Sequence, residues 1–269
     1  MTTGARPLEV PPKPTSRVRT GLVVLAFAAF TIATCIPAIG GIDLDFGALI
    51  RNWDNGSALL AQFLQPDFSF LPRTFGPMLE TLQMAVVGAA LAAVISVPLT
   101  LWAAAPTNPN TPTRIAVRTF INVIRSVPDL VYATVLVAMV GVGALPGLIT
   151  LFLFDIGIIV KLVSEAIDST DLPVIEAGRA TGGGQTQINR SVVLPQTWPL
   201  FANQWLYTLE LNVRISAILG IVGAGGIGRL LDERRAFYAY DDVAVIVLEI
   251  LVVVVLIEVF SNFLRRRLV

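Results

Sequence analysis

The sequence predicts an all-α polytopic membrane protein with about six transmembrane helices. Three observations lead to this fold class. Hydrophobic residues make up 55% of the 269 residues and charged residues only 14%, with a mean hydropathy of +0.75, a balance unlike that of a soluble domain. Several apolar segments reach the roughly 20 residues that cross a bilayer. The alternation of strands and helices that marks an α/β protein is missing.

The first element is a polar N-terminal tail at 1–19, followed by a first transmembrane helix at 20–39. The tail carries several cations and an apolar run follows it. A secretory signal peptide has the same order of segments. This run is longer than a typical signal-peptide core and more apolar segments follow it, so a retained helix is favoured. Cys35, inside the run, is interpreted as a small apolar residue.

An external linker rich in Asp, Gly and Pro follows at 40–77, and a membrane core domain follows at 78–269. The apolar segments of the core are apolar on all sides, unlike the striped surface helices of soluble proteins. We therefore expect each of them to span the membrane. The segments are 78–104, 117–140, 146–166, 198–222 and 242–263.

Lys and Arg are distributed unevenly between the two predicted sides of the membrane. An even number of spans places both termini on one side. The segments on that side carry most of the cations, including Arg265, Arg266 and Arg267 just after the last span. Because cytoplasmic segments carry the excess of Lys and Arg, we expect both termini to be cytoplasmic and the chain to lie in the bilayer of the cytoplasmic membrane.

Two glycine-rich segments lie at the predicted outer ends of spans. They are "GVGALPG" at 141–147 and "VGAGGIGRLL" at 222–231. The second contains G-x-G-x-x-G, which marks a dinucleotide-binding loop only after a strand, whereas here it continues a long apolar segment. We interpret both segments as helix breaks that form an outer gate or hinge, with Gly141, Gly143, Gly223, Gly225, Gly226 and Gly228 as its candidate residues. Two roles stay open for them, contact with an anion through freed amides and close helix packing through small residues.

The composition excludes several classes of function. The chain has no His and one Cys, so disulfide frameworks, Cys/His zinc sites and His-based acid–base catalysis are not expected. Its formal net charge is zero, which argues against a nucleic-acid partner. The sequence lacks the phosphate-binding pattern G-x-x-x-x-G-K-[ST]. We therefore expect a transport subunit that is not an enzyme and holds no metal or cofactor of its own.

The largest internal cytoplasmic loop is predicted at 165–195. Its sequence predicts a helix that ends near Ala180, a glycine break at 182–184, a second short helical segment and a stop at Leu194–Pro195. The spacing of seven residues in it resembles the signature of inner-membrane permease subunits of ATP-binding-cassette importers, which is E-A-A, three residues, G, nine residues, then I-x-L-P. The matching positions are Glu176, Ala177, Gly178, Gly182, Val192, Leu194 and Pro195, where Gly178 replaces the second Ala and Val192 replaces Ile.

The resemblance implies the type I importer permease fold and a coupling helix in the 165–195 loop that sits in a groove of a separate ATPase. Glu176 is then the polar contact and Gly182 the turn. Two ATPase subunits would bind the ATP and Mg, and an external substrate-binding protein would select the cargo. Because one six-helix chain seldom encloses a route alone, we also expect a homodimer.

Three further stretches bear on the cargo. They are "NVIRSVPDLVYA" at 122–133, "DIGIIVKLVSEAI" at 155–167 and "LNVRISAILGIVGAGGIGRLL" at 211–231. Together they resemble the phosphonate-type branch of these permeases. The implied cargo is a phosphonate or a related phosphorus oxyanion, phosphite or phosphate. A methionine-type or other small-solute permease is the alternative within the family.

Arg125, Lys161 and Arg214 lie inside predicted spans, where an unpaired charge is costly. They are the candidates for a path that carries an anion. Each has a carboxylate about one helical turn away, so local ion pairing is the competing interpretation. Outside this family, an ion-driven secondary transporter would use the membrane acids Asp129, Asp155, Glu210, Glu249 and Glu258. An integral-membrane enzyme is disfavoured because His and metal-ligand clusters are missing.

Overall fold

The computed structural model describes residues 17–35, 45–169 and 172–268. Within these ranges the chain forms α-helices joined by turns and by short 3-10 and π segments, and it contains no strand there. The all-α prediction is confirmed. The chain divides into two compact units, 1–58 and 59–269.

The unit at 1–58 contains α1 (Arg17–Ala33), α2 (Gly47–Arg51) and the first half of α3 (Trp53–Phe63). From Arg19 onward the side chains of α1 are almost all exposed, although most of them are apolar. An apolar helix with no buried face suits a lipid environment. The last residues of the predicted first span, 36–39, lie outside the described residues.

The unit at 59–269 contains the rest of the helices. In chain order it has a 3-10 turn (Phe68–Phe70), α4 (Leu71–Ala103), α5 (Thr111–Ser126), α6 (Asp129–Val140), α7 (Ala144–Asp168), α8 (Leu172–Ala180), α9 (Gln185–Ile188), a π-helical turn (Asn189–Val193), α10 (Leu194–Leu219), a second 3-10 turn (Gly220–Val222), α11 (Gly226–Ala236) and α12 (Tyr240–Leu268).

Among the described residues, four helical stretches are long and apolar enough to cross a membrane. They are α4 with its preceding 3-10 turn, α7, the continuous stretch Gln185–Val222, and α12. A fifth crossing results if α5 and α6 together make one bent span, and α1 is a shorter apolar helix. The predicted number of six crossings is therefore approximate.

The segment 117–140, predicted as one straight span, is broken in the middle. The axes of α5 and α6 differ by 85°. Val127 between them is extended, with φ −90° and ψ 127°, because the ring of Pro128 disfavours helical geometry in the residue before it. Pro128 also lacks the N–H that would continue the helix. The predicted span therefore consists of two helices, α5 and α6, with a sharp bend between them.

The centre of the larger unit is made by α4, α7 and α10, which pack against one another. A polar contact joins all three. The Asn212 side chain of α10 donates to the carboxylate of Asp155 in α7 at 2.8 Å and to the carbonyl of Ala85 in α4 at 3.3 Å. Both side chains are fully buried. Because a polar group in the membrane interior is stable only when bonded, this contact fixes which turns of the three helices face each other.

Gly147, in the first turn of α7, tests how tightly the helices pack. A Cβ on Gly147 would lie 2.5 Å from the carbonyl oxygen of Ala224 and 3.1 Å from the sulfur of Met84. We expect Gly147→Ala to lower the free energy of unfolding by about 1–3 kcal/mol, since a backbone carbonyl must move to admit the methyl group. The measurement is thermal unfolding of the purified protein in detergent.

Gly56→Ala in α3 is the matched control, because nothing lies within 4 Å of the added Cβ and no proline directly follows it. We expect this variant to unfold at or slightly above the wild-type temperature, since Ala favours the helix. Equal unfolding temperatures for the two variants would contradict the close packing at Gly147.

Candidate functional site

The 165–195 loop folds as a helical hairpin. α8 ends at Ala180, as the sequence predicts, and Gly182 then takes a left-handed conformation with φ +79°. Glycine adopts this conformation without steric cost. The short helix α9 follows, and the Gln187 side chain accepts a hydrogen bond from the Gly184 N–H at its start, 2.9 Å away.

The predicted stop at Leu194–Pro195 is wrong. α9 continues through the π-helical turn at 189–193 directly into α10, where Pro195 occupies the first turn. In the π turn the Leu194 N–H bonds to the Asn189 carbonyl, five residues back. A wider turn of this kind leaves room for the proline ring, which would clash with the carbonyl four residues earlier in a regular helix. The second arm of the hairpin and the span after it therefore form one continuous helical stretch, Gln185–Val222.

The two residues that depart from the permease signature touch each other. A Cβ on Gly178 would lie 3.1 Å from a methyl carbon of Val192 and 3.7 Å from one of Ile188. The missing methyl group at 178 lets α8 approach the π turn closely. The two substitutions therefore act on one contact inside the hairpin.

Apolar side chains fix the hairpin to the ends of the long helices. Ile175, Ile188 and Val193 are buried in one cluster with residues of α4, α5, α7 and α10, among them Ala104 and Ile167. Glu176 and Ala177 lie on the other side of α8 and are exposed. The hairpin thus has a buried side that holds it and an exposed side that carries the signature acid.

Polar contacts join the hairpin to the turn that follows α4, residues 104–107. Asn189 donates to the Thr107 carbonyl at 2.9 Å, and Gln185 donates to the Pro106 carbonyl at 3.1 Å and to the Asn189 side chain at 2.9 Å. These contacts bridge about 80 positions of sequence. Spacing arguments within one helix could not reveal them.

The same turn is held by an ion pair that the sequence analysis missed. Arg118 of α5 pairs with Asp168 at the end of α7, and its Nε donates to the Ala103 carbonyl at 2.7 Å. Asp168 also accepts from the Ala105 N–H at 2.7 Å. The ends of α4, α5 and α7 are therefore tied together beside the hairpin. We call this region, residues 103–118, 168–169 and 172–193, the loop end.

Two of the three candidate path cations have carboxylate partners. Lys161 pairs with Glu165, and Arg214 pairs with Glu210 at 2.8 Å, both at the i,i+4 spacing. Glu210 also lies 3.8 Å from Arg265 of α12. Local pairing is thus present at both positions.

Arg125 differs from these two. It lies in the last turn of α5 and is exposed, and it makes no ion pair within 4.0 Å in the part of the chain that the structure describes. The pairing with Asp129 that the spacing suggests does not occur, because the break at Pro128 places Asp129 on α6. The i,i+4 rule holds only along an uninterrupted helix.

The two glycine-rich segments meet. The Gly143 N–H donates to the Gly223 carbonyl at 3.0 Å, although 80 positions separate the two residues. A Cβ on Gly225 would lie 2.9 Å from the Ala144 nitrogen, and a Cβ on Gly226 would overlap Thr81. Gly220 and Gly228 likewise leave no space for a side chain between them. We call this region, residues 141–147 and 220–228, the glycine end. These contacts support the packing interpretation for Gly223, Gly225, Gly226 and Gly228. Nothing lies within 4 Å of a Cβ placed on Gly141 or Gly143, and Gly141 is instead a turn residue with φ +92°.

Two residues of α4 at the glycine end were missed by the sequence analysis. The Thr81 hydroxyl accepts a hydrogen bond from the Ile227 N–H at 2.8 Å, in a buried position. A carboxylate oxygen of Glu80 lies 2.8 Å from where a Cβ of Gly225 would stand. A carboxylate this close disfavours an anion at the same place. The sequence feature that could have identified Glu80 is an acidic residue inside an apolar span.

The described residues contain no group of three or more Cys, Asp and Glu side chains that could hold a metal ion. The acidic side chains of α7 and α10 instead contact nitrogen atoms of other residues. They are Asp155, Glu165 and Asp168 of α7 and Glu210 of α10. The described residues thus provide a hairpin with an exposed acid, a packed glycine end and, among the three candidate path cations, one that has no carboxylate partner.

Comparison with known proteins gives the family. The family model described as "binding-protein-dependent transport system inner membrane component" matches residues 96–269. The chain belongs to this family. Its match includes the hairpin, the π turn and both glycine-rich segments.

Individual relatives of this inner membrane component carry phosphorus-related names. The phosphite transport system permease protein PtxC of Stutzerimonas stutzeri is 36% identical over 246 residues, which cover 91% of this chain and 88% of the relative. The phosphate-import permease protein PhnE of Mycolicibacterium smegmatis is 38% identical over 234 residues, which cover 87% of this chain and 44% of the relative.

A solved structure supports the fold. A chain of the MetNI methionine ABC transporter, in an inward-facing conformation, matches with a TM-score of 0.68 and 24% identity and covers 76% of this chain and 99% of that chain. The predicted importer-permease fold is confirmed.

The hydrogen bonds of Asn189 provide a test of the loop end. In Asn189→Ala, the Thr107 carbonyl and the Gln185 amide each lose a partner. We expect faster amide hydrogen exchange at 104–110 and 185–193, equivalent to about 1 kcal/mol less protection, the usual net value of one such bond. Exposed Ser191 in the same π turn supplies the control variant Ser191→Ala. Unchanged exchange in Asn189→Ala would show that the apolar cluster alone holds the hairpin.

Proposed function

We propose that the chain is the permease subunit of an ATP-driven importer for a phosphonate or a related phosphorus oxyanion, phosphite or phosphate. The observation that carries the proposal is the 36% identity to a phosphite transport system permease across 91% of this chain. The family description supplies the dependence on an external binding protein. The methionine transporter match has an identity that supports the fold alone, so methionine is the second cargo to test.

In this proposal the hairpin at 165–195 couples the membrane helices to two ATPase subunits. Its support is geometric. Glu176 is exposed on a hairpin whose other side is buried, and the hairpin continues without a break into α10. A force that an ATPase subunit exerts on the exposed side of the hairpin is therefore transmitted directly to α10. Glu176, Ala177, Gly178, Gly182, Val192, Leu194 and Pro195 are the residues assigned to this role, and the ATP and Mg are bound by the partner.

The proposal also includes a homodimer with the route between the two copies. Arg125 is exposed at the surface of the larger unit, and an unpaired arginine within a span is stable only beside water or a partner. A second copy would enclose that surface. The glycine end is assigned the role of an outer hinge through packing.

The first test is ATP hydrolysis in proteoliposomes that contain this chain, its ATPase and its binding protein. We expect phosphite, phosphate or a phosphonate to stimulate turnover, and methionine to have no effect. In Glu176→Lys the stimulation should fall about tenfold or more while the complex still assembles, because a cation replaces the carboxylate at a charge-assisted contact.

Asp54→Lys is the matched charge reversal, at an exposed residue of α3 on the predicted opposite side of the membrane. It should keep the stimulation. Stimulation by methionine alone would replace the phosphorus cargo by a methionine-type function. Equal losses in both variants would remove the specific role of Glu176.

Cysteine labelling tests the proposed orientation, with both termini in the cytoplasm. Cys35→Ala removes the only cysteine, and Asp54→Cys or Thr186→Cys then adds one at an exposed helical position. In intact spheroplasts, a membrane-impermeant maleimide should label Asp54→Cys at once and Thr186→Cys only after permeabilisation. The reverse pattern would invert the topology and place the hairpin away from any cytoplasmic ATPase.

A further inference from the structure

The break between α5 and α6 interrupts an apolar helical segment of the described chain. Residues 127 and 128 connect the two helices at 85°, and Pro128 is exposed. Non-helical backbone at membrane depth is tolerated only where it is buried in protein or lines a water-filled cavity. Val127 and Pro128 line a cleft, so the second condition is the one that this break can meet.

A cleft of about 320 Å³ lies at the break, formed by α5, α6 and α7. Its volume is far above the ~30 Å³ that one water molecule takes in the liquid, so an anion of a few heavy atoms fits with part of its hydration. Its polar side chains are those of Arg125, Asp129 and Tyr132, and Phe154 and Ile158 of α7 form part of the apolar wall.

One backbone carbonyl at the break accepts a hydrogen bond from a side chain other than Arg125. The Tyr132 hydroxyl donates to the Ile124 carbonyl at 2.8 Å, and this carbonyl belongs to the last turn of α5, where helical partners run out. The Arg125 guanidinium makes neither an ion pair nor a side-chain hydrogen bond with any described residue. Its donors are therefore free for a ligand.

The stem of Arg125 is held in place by a close contact with α7. A Cβ on Gly157 would lie 2.8 Å from Arg125 Cγ and 3.7 Å from a methyl carbon of Ile124. Gly157 is buried. The arginine stem can therefore lie against the backbone of α7 only because residue 157 has no side chain. The position of the Arg125 side chain is therefore determined by the contact between α5 and α7.

We propose that this break is an anion-contact site, in which the Arg125 guanidinium receives the phosphorus oxyanion as it crosses the membrane. The inference rests on the proposed function and names one residue of its path. The planar guanidinium offers two parallel N–H donors that match two oxygens of a tetrahedral oxyanion. The nearby Asp129 carboxylate weakens the attraction, which suits a transport path because the ion must leave as well as enter. Lys161 and Arg214, already paired with carboxylates, are outside this site.

The test is phosphite uptake into proteoliposomes at saturating binding protein and ATP. We expect Arg125→Gln to slow uptake about tenfold or more, since a hydrogen-bonded charge is lost. Arg125→Lys should be intermediate, because an ammonium group keeps the charge and lacks the planar fork. Gly157→Ala should also slow uptake, because it displaces the stem while the charge stays. Gly56→Ala, with open space around the added methyl group, should behave as wild type.

ATP hydrolysis without any phosphorus anion provides the second readout. It reports assembly and coupling rather than anion contact, so loss of this hydrolysis together with uptake in Arg125→Lys and Gly157→Ala would assign Arg125 a structural role and overturn the site. If Arg125→Gln fails to assemble, Arg125→Lys and Gly157→Ala decide the question. Uptake at the wild-type rate in Arg125→Gln, or equal uptake in Gly157→Ala and Gly56→Ala, would overturn the site and leave the proposed function intact.

A structural role for Arg125 between two copies gives a different pattern. It predicts loss of the dimer in Arg125→Gln, seen by light scattering of the purified protein, and full recovery in Arg125→Lys. That result would also overturn the anion contact. If wild type takes up no phosphite, phosphate or phosphonate, the proposed function fails and the site fails with it.

Discussion

Inside the hydrocarbon region no water is available to backbone N–H and C=O groups, so the protein itself must compensate each interruption of a helix. This constraint shapes both broken regions of the larger unit. At the glycine end the Gly143 N–H bonds to the Gly223 carbonyl and the Ile227 N–H to the Thr81 hydroxyl. At the α5–α6 break Tyr132 covers only one carbonyl. At the glycine end the chain itself supplies these hydrogen bonds. The α5–α6 break instead borders the cleft that contains Arg125.

The loop end joins elements that are far apart in sequence. Asp168 bonds to Arg118 of α5 and to the backbone of the turn after α4, and Gln185 and Asn189 of the hairpin bond to the next residues of that turn. The hairpin is thereby connected to α4, α5 and α7 by direct contacts, in addition to its continuous run into α10. A displacement of the hairpin acts on helices that are already tied together, which favours their movement as one body.

How much the sequence could predict depended on how far apart the interacting residues lie. Long runs that are apolar on all sides located the membrane helices. The i,i+4 rule anticipated the pairs of Lys161 with Glu165 and Arg214 with Glu210, because these interactions stay within one helix. The same rule suggested a pair of Arg125 with Asp129, which does not form because Pro128 interrupts the helix. The bond between Asp155 and Asn212, the ion pair of Arg118 with Asp168 and the meeting of the two glycine segments join residues 50 or more positions apart. Only the packed structure shows which of these approach.

The two ends of the larger unit suit different movements. At the glycine end, backbone atoms of one segment occupy the space where side chains of the other would begin, so the contact is lost only if α7 and α11 separate as whole helices. In the interior, the buried bond of Asn212 to Asp155 and Ala85 opposes sliding of α4, α7 and α10 past one another, since each bond broken there would leave a polar group in an apolar medium. Rotation of the helix group about the glycine end keeps the interior bonds intact. Such a rotation carries α5, α7 and the Arg125 cleft together, and it is the movement that a push on the hairpin would most easily produce.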